Sequence, residues 1–588
     1  MTRRAVPHDG PPPTYTERGK YVITPQIKRA IATGLAAVLL TGGLAAPAEA
    51  AGATLTVNVA QPFRPVTHAA SGGLYGLAEN NRPADSTLLP IKVNSLTQPA
   101  PGVGQRPNGQ PPGGDALLVA PQATRVGAGQ FIRMPDIYPD FPYRWVSWDD
   151  WLAKVTTMVN ARLSATTVTN VLGWELWNEP DYTWNTAAAG NFNDGWVRTF
   201  RAVRALDSLT PIVGPSTAVY NRSWMQAFLT RARDTGTLPD IICWHELTDA
   251  GRIASDLADY RNLEASLGIS PRRISINEYA APAEVDVPGR IASYVGKLER
   301  GNVESAHRAF WYEYGTMNGL VTGNSQPTGT WWLYKWYGDM AGSMVATSPT
   351  SQSGLDGFAS YDGTRRIVNV VFGNEAGTNT VNLTGLGALG SSVRVTLLST
   401  PSSGRFTAVN APTTVSTTTR TVTDGRLSVS VPGMVATSAY QLVVEPVSGV
   451  PAYQQRYEAE NASVFRAQRL SATSASGGGY VGRIDNAGTP RTDSYVDFVV
   501  NVPTARAYTM TIGYANGTGA TATQGLAYNG GAWATVSYPP TAGWGQFGAT
   551  VSTSVTLRAG YNVIRLAKGS PHFAGGTGYA ELDYLQLT

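Results

Sequence analysis
Two short segments of the chain each place an Asn-Glu pair where a strand gives way to a loop. The run at 171–177 leads into Asn178-Glu179-Pro180-Asp181, and the run at 274–276 leads into Asn277-Glu278-Tyr279. Two carboxyl groups that meet at one centre can cleave a glycosidic bond. One protonates the leaving oxygen while the other attacks the anomeric carbon, and a separation of about 5–5.5 Å gives retention of configuration. The acid then needs a raised pKa and the nucleophile must stay ionised, so their surroundings must differ. A lone glutamate at a loop start is usually a solvated surface group. Two of them, each preceded by Asn and each at a strand end, point to catalysis.

Residues 99 apart in sequence meet only if parallel strands carry them to one end of a sheet. The middle of the chain has that pattern. Strand ends fall near 177, 215, 245, 278 and 311, with amphipathic helical stretches between them. Trp196, Phe200, Val203 and Leu206 follow one helical face. Trp151, Val155, Met158 and Val159 do the same after the capping-box-like Ser147-Trp148-Asp149-Asp150. Such alternation implies parallel strands joined by right-handed crossovers. With two earlier strands at 69–77 and 130–134 it predicts a (β/α)8 TIM barrel over 51–345, its active-site groups at the strands' C-terminal ends. The Pro- and Gly-rich stretch 98–115 is expected as a loop at the mouth. Trp331, Trp332, Tyr334, Trp336 and Tyr337 have helical spacing and are expected to pack against the barrel, and His307 to be a satisfied core histidine.

The segment Gly-Trp-Glu-Leu-Trp-Asn-Glu-Pro-Asp at 173–181 resembles the acid/base segment of clan A glycoside hydrolases, and the barrel as a whole resembles family 39. The resemblance implies that Glu179 is the general acid/base and that Glu278, closing the seventh strand, is the nucleophile. It implies a sugar 2-hydroxyl contact for Asn178, a place beside the nucleophile for Arg133, and a place lining the sugar subsite for His245. Trp311, ending the eighth strand, would form the stacking floor. Glu246 departs from the Tyr expected two residues past such a His; it either contacts a sugar hydroxyl or is solvated. Glu175, two residues before Trp177, is expected to be structural. No cofactor is expected for catalysis.

After about 345 helical periodicity gives way to short alternating strands separated by Gly, Ser, Thr and Asn. Residues 346–447 are expected to form an accessory β-sandwich, and 453–588 a second, jelly-roll β-sandwich. The latter resembles carbohydrate-binding modules of families 35 and 6 in Tyr457-Glu458-Ala459-Glu460-Asn461, in Gly477 to Gly482 and in Glu581-Leu582-Asp583-Tyr584. That resemblance implies a structural calcium held by Glu458, Glu460 and Asp583, whose oxygens suit a hard cation. It also implies ligand contacts from Tyr480, Trp544 and Asn516. Glu581 stands where many such modules carry Asn, which makes a neutral xylan-type ligand a poorer fit.

At the N-terminus Lys28-Arg29, an apolar run at 30–40 and Ala48-Glu49-Ala50 read as an export signal over 1–50 with an A-x-A-like cleavage site. The rest of the 588 residues carries a formal charge of only +1, since residues 1–50 hold six Lys/Arg against three Asp/Glu. Nucleic acid is therefore excluded as a partner, and nothing after the signal suits a membrane. The single cysteine, Cys243, rules out an intramolecular disulfide framework. The expected protein is a secreted, extracellular monomer that hydrolyses arabinose- or xylose-containing plant polysaccharide side chains, in an α-L-arabinofuranosidase-like or β-xylosidase-like exo mode with retention. Two other readings stay open: a catalytically inactive secreted carbohydrate-binding protein, and an endo-acting glycanase.

Overall fold
A computed structural model describes residues 52–588 apart from 79–81, 103–113, 310–316, 318, 324–325, 448–452, 485–492 and 559. The expected export signal, Trp311 and most of the expected mouth loop lie outside the described residues.

Eight parallel strands close a barrel: Gly72–Leu74, Ser95–Pro99, Gly129–Arg133, Val171–Glu175, Ile212–Thr217, Ile241–Trp244, Arg273–Tyr279 and Ser305–Arg308. Closure is made by Gly72–Leu74, which pairs with both the second and the eighth strand. Gly72 is required there, because a Cβ would come 2.3 Å from the His307 ring. His307 itself is held between Ser95 Oγ at 2.9 Å and Thr97 Oγ1 at 2.7 Å, and burial pushes its pKa down to about 3. It is the neutral core histidine expected from the sequence. The helix Trp148–Ser164 starts where Ser147 accepts the Asp150 N–H, and it buries Trp151, Val155, Met158 and Val159. The helix Gly329–Gly338 is buried along its whole length, so its tryptophans are packing residues.

Two differences from the sequence reading have physical causes. Ser95–Pro99 is a barrel strand, although Gln98 and Pro99 had been expected to open the mouth loop; its Ser, Thr and Gln bond inward to other barrel groups, so it lacks a β-branched run. The strand Thr54–Pro65 belongs to the accessory sheet and not to the barrel, pairing antiparallel with Ser343–Pro349 and parallel with Gly377–Thr384. It buries Leu55, Val57 and Val59 on one face only, the period of a sandwich strand with one side to a core. A barrel strand would be covered on both.

The nine-stranded accessory sheet folds around its own apolar core. A buried ion pair joins it to the barrel: Lys297, on the helix Pro288–Arg300, reaches Asp356 at 2.6 Å, with both side chains fully buried. Arg300 adds a second bond to Asp356 at 2.8 Å. The C-terminal segment forms two facing sheets, one of six and one of five strands. It rests on the barrel through Tyr561, whose ring lies 4.9 Å from that of Trp332, and through Arg469, 3.5 Å from Asp85. Among the described residues no helix is long and apolar enough to cross a membrane.

Removing one member of a buried ion pair leaves the other charge uncompensated. Asp356→Ala is therefore expected to cost about 3–5 kcal/mol of unfolding free energy, read by denaturant titration. A loss under about 1 kcal/mol would show that the pair does not clamp the two domains.

Candidate active site
The fourth strand ends at Glu175, and three more residues carry the chain to Glu179 at the start of the one-turn helix Pro180–Thr183. Glu179 has φ +51°, a left-handed conformation that a residue with a Cβ seldom adopts. Its neighbours hold it there. The Glu179 N–H donates to Ser216 O at 2.8 Å, and the Tyr182 and Thr183 N–H groups return to Glu179 O. Thr183 Oγ1 donates to Asn178 O at 2.7 Å, which fixes the turn from inside. Glu278 lies within the seventh strand, where the pairing with the eighth strand shifts register between Ile276 and Tyr279.

The two carboxylates meet. One oxygen of Glu179, one of Glu278 and an imidazole nitrogen of His245 all lie within 4.8 Å of one another. His245 Nδ1 is 3.1 Å from Glu179 Oε1 and 3.8 Å from Glu278 Oε2. Arg133, at the end of the third strand and 1% exposed, donates to Glu278 Oε1 at 2.6 Å and to Glu175 Oε2 at 2.9 Å. The third, fourth, sixth and seventh strands thus supply the centre from their C-terminal ends, where such a barrel carries its chemistry.

Charge sets the protonation. Burial opposes a charged His245, but Glu278 and the bond and charge of Glu179 outweigh it and raise the imidazole pKa. Burial also acts to raise Glu179, yet the His245 bond and charge, with Arg133, outweigh it and lower that pKa. The contact between them thus favours the charged form of each group. His245 and Glu179 titrate as a pair across a 3.1 Å contact. The same three groups have the spacing of a cation site. Arg133 already compensates Glu278, so the trio suits proton transfer better than a further cation.

Sequence reading missed the layer that holds Arg133. Tyr75, just after the first strand, receives an N–H from Arg133 at 3.3 Å and donates to Asp136 Oδ2 at 2.7 Å. Tyr143 donates to Asp136 Oδ1 at 2.9 Å and is hydrogen-bonded to the Asn178 side chain. A continuous buried chain runs from Asn178 to Glu278. The available signal was Asp136, three residues past Arg133 at a strand's C-terminal end. Asn178 Oδ1 is buried and has no protein partner, as a group awaiting a ligand hydroxyl would be. Glu175 is structural in the sense expected: it holds Arg133.

Glu246 is a correction. Its carboxylate accepts the Trp244 indole N–H at 2.7 Å, and Trp244 packs between Tyr220 and Tyr260 on the helical side. One residue away, His245 faces Glu179 and Glu278, so strand alternation turns Glu246 away from them.

In the C-terminal segment Asn516 is also corrected. It is fully buried, its amide donating to Ala520 O and Tyr538 O and its carbonyl accepting from Thr518. It ties a loop and has nothing left for a ligand. Tyr480 is buried, with its ring 4.9 Å from that of Phe547 and its hydroxyl bonded to Glu581. Trp544 is 47% exposed and lies over Gly517, where a Cβ would come 2.8 Å from the indole. Ser476 gathers two of the acidic residues, its N–H donating to Asp583 at 2.8 Å and its hydroxyl to Glu458 at 3.0 Å. Glu458 Oε2 and Glu460 Oε2 are buried without a partner.

No protein-family model matches the chain. It is 27% identical over 503 residues to the 3-O-alpha-D-galactosyl-alpha-L-arabinofuranosidase of Bifidobacterium longum subsp. longum, covering 70% of this chain and 43% of that protein. It is 27% identical over 476 residues to the 3-O-beta-L-arabinopyranosyl-alpha-L-arabinofuranosidase of Bifidobacterium pseudocatenulatum, covering 67% and 47%. The chain thus spans less than half the length of the curated relatives it matches. The solved structure of N2152 from Neocallimastix frontalis is similar over 67% of this chain and 100% of its own, at 35% identity and a TM-score of 0.64. The chain belongs to the same family as N2152. The comparisons do not extend this to the carbohydrate-module likeness of the C-terminal segment.

The orientation of Glu246 carries a prediction. Burial pushes its pKa up to about 8. A carboxyl whose folded pKa lies above its unfolded value favours folding at low pH and loses that contribution as pH rises through the folded value. Glu246→Gln is expected to leave kcat/KM within about twofold, consistent with a side chain that does not reach the reacting centre. Its thermal midpoint should exceed the wild type's by a margin that grows between pH 5 and pH 8. A tenfold or greater fall in kcat/KM would return Glu246 to the sugar site.

Proposed function
We propose that this chain is a secreted, retaining, exo-acting glycoside hydrolase of arabinose- or xylose-containing side chains on plant polysaccharides. The observation that carries the reading is the convergence of Glu179, Glu278 and His245 within 4.8 Å, with Arg133 bonded to Glu278. This is the close spacing of a double displacement, with no room for the water that an inverting pair must hold between its carboxyls. Both curated relatives are named for α-L-arabinofuranosides substituted at O3, which favours arabinofuranosyl over xylosyl side chains.

In this mechanism Glu278 attacks the anomeric carbon, oriented by Arg133. Glu179 passes a proton to the leaving oxygen, and His245, 3.1 Å away, resupplies it. Substitution of the Glu278 carboxylate by the sugar removes the charge that had favoured a protonated His245. Glu179 then deprotonates the water that releases the sugar. The free Asn178 Oδ1 accepts the sugar 2-hydroxyl, an interaction that strengthens in the transition state. Export rests on the signal-like residues 1–50, and the exo mode on the Pro- and Gly-rich sequence that follows the second strand.

The C-terminal segment is proposed as a carbohydrate-binding module with a structural calcium held by Glu458, Glu460 and Asp583. The two unpartnered buried carboxylate oxygens fit that group. Burial, with the charges of neighbouring acids, pushes Glu460 up to about 7 and Asp583 up to about 6. Bound calcium would supply the charge balance; Ser476 orients Glu458 and Asp583 toward it. Trp544 offers the open stacking face.

Two measurements test these assignments. Incubation with arabinogalactan, arabinan and xylan, followed by NMR of the first product formed, should show a released sugar of retained configuration; an inverted first anomer would contradict a nucleophilic Glu278. Glu179→Ala should lose about 10²–10⁴ in kcat/KM on the natural linkage, and Glu278→Ala should show no turnover. For the calcium site, raised folded-state carboxyl pKa values make the chelated protein lose stability as pH rises through about 6 to 7. Calcium should therefore raise the melting temperature at pH 8 and not at pH 5. An equal effect at both, or none, would remove calcium from this site.

A further inference from the structure
We propose that Phe141 and Tyr182 form the platform on which the leaving-group sugar stacks, so that the enzyme reads the polysaccharide residue beyond the scissile bond as well as the sugar it releases. The inference rests on the retaining-hydrolase reading above, because only that reading fixes which side of the centre the leaving group occupies.

Large aromatic side chains exposed at a barrel mouth are unusual, since burial of each would be worth a few kcal/mol. Tyr182 is 64% exposed, three residues past Glu179 on the one-turn helix that Glu179 caps, and its N–H donates to Glu179 O at 2.9 Å. Phe141, on the loop after the third strand, is only partly buried; its ring lies 6.2 Å from that of Tyr182 at 43°. The other side of Phe141 meets Tyr143 edge-on at 5.6 Å. Tyr143 bonds Asn178 and Asp136. The exposed pair is therefore one ring away from the residue that faces the sugar 2-hydroxyl and one helical turn away from the acid/base.

Direction follows from chemistry. Glu179 delivers its proton to the oxygen that departs, so the sugar attached to that oxygen lies on the Glu179 side of the centre. Phe141 and Tyr182 are attached to that side, and the exposed Tyr182 ring with the partly exposed Phe141 ring beside it offers apolar surface to such a sugar. A sugar ring offers axial C–H groups to such faces and directs its hydroxyls outward to water. Most of the neighbouring aromatic cluster is packed: Trp177 is buried, its ring 4.8 Å from that of Trp184 and 5.5 Å from that of Tyr143. Trp184 is only partly exposed and contacts Trp145 and Trp148. These rings support the loop that carries Phe141, and Tyr182 extends beyond them into solvent.

The test compares two substrates that share the released sugar. One is polymeric arabinogalactan, whose leaving group is a sugar. The other is the glycosyl fluoride of the sugar that the wild type releases, whose leaving group has no ring to stack. Tyr182→Ala and Phe141→Ala should each lower kcat/KM on the polymer about five- to tenfold, mainly through KM, as expected for loss of one aromatic stacking contact. The fluoride should be turned over at the wild-type rate, and Tyr182→Phe should behave as wild type on both substrates. Equal losses on both substrates, or none on the polymer, would overturn the platform. If the wild type turned over the fluoride but released nothing from any polymer, the hydrolase chemistry would stand and the platform would fall. If it turned over neither, the hydrolase reading itself would fall, and the leaving group with it.

Discussion
Two carboxylates within 4.8 Å of each other, each largely shielded from water, repel by about 3–4 kcal/mol at an effective dielectric constant near 20. The site exists because that repulsion is answered. Arg133 binds Glu278 and Glu175 through separate nitrogens, and His245 brings a proton to the Glu179 side. The guanidinium is itself fixed by the Tyr75–Asp136 contact, so its position does not depend on the substrate. The two carboxylates therefore differ in what compensates them: an imidazole for Glu179, a fixed guanidinium for Glu278. The proposed division into acid and nucleophile draws on that asymmetry.

The frame around this centre can be read the same way. The helix Pro288–Arg300, which precedes the eighth strand, is tied by the Lys297–Asp356 pair to the accessory sheet, and Thr54–Pro65 reaches that sheet from the other end of the barrel sequence. The accessory sandwich thus contains chain from both sides of the barrel. The C-terminal sandwich is seated on the barrel's last helix through Tyr561 and Trp332.

Sequence made the barrel and the convergence of Glu179 and Glu278 legible because period and chemistry coincide there. Strands near 177, 245 and 278 lead into Glu179, His245 and Glu278, and short β-branched or aromatic runs mark them. It was silent where a residue's role depends on strand alternation or on a distant partner. Glu246 and His245 are adjacent, yet only His245 faces the centre; Trp244, packed on the helical side, takes the Glu246 carboxylate with it. Asn516 carries a side chain suited to sugars, but the loop it ties consumes all its hydrogen-bonding capacity. Tyr75 and Asp136 have no local motif, since their meaning comes from an arginine on another strand. The strand Thr54–Pro65 was assigned to the barrel by position, although its one-faced apolar pattern already suited a sandwich.

The measurement closest to the central claim is mass spectrometry of the enzyme after inactivation by a 2-deoxy-2-fluoro glycoside of the released sugar, which slows the second displacement and traps the first product. If Arg133 prepares Glu278 as the nucleophile, the peptide that contains Glu278 will carry one sugar, and no other peptide will. A label on the peptide containing Glu179, or turnover-dependent inactivation with no glycosylated peptide at all, would contradict the division of roles on which this account stands.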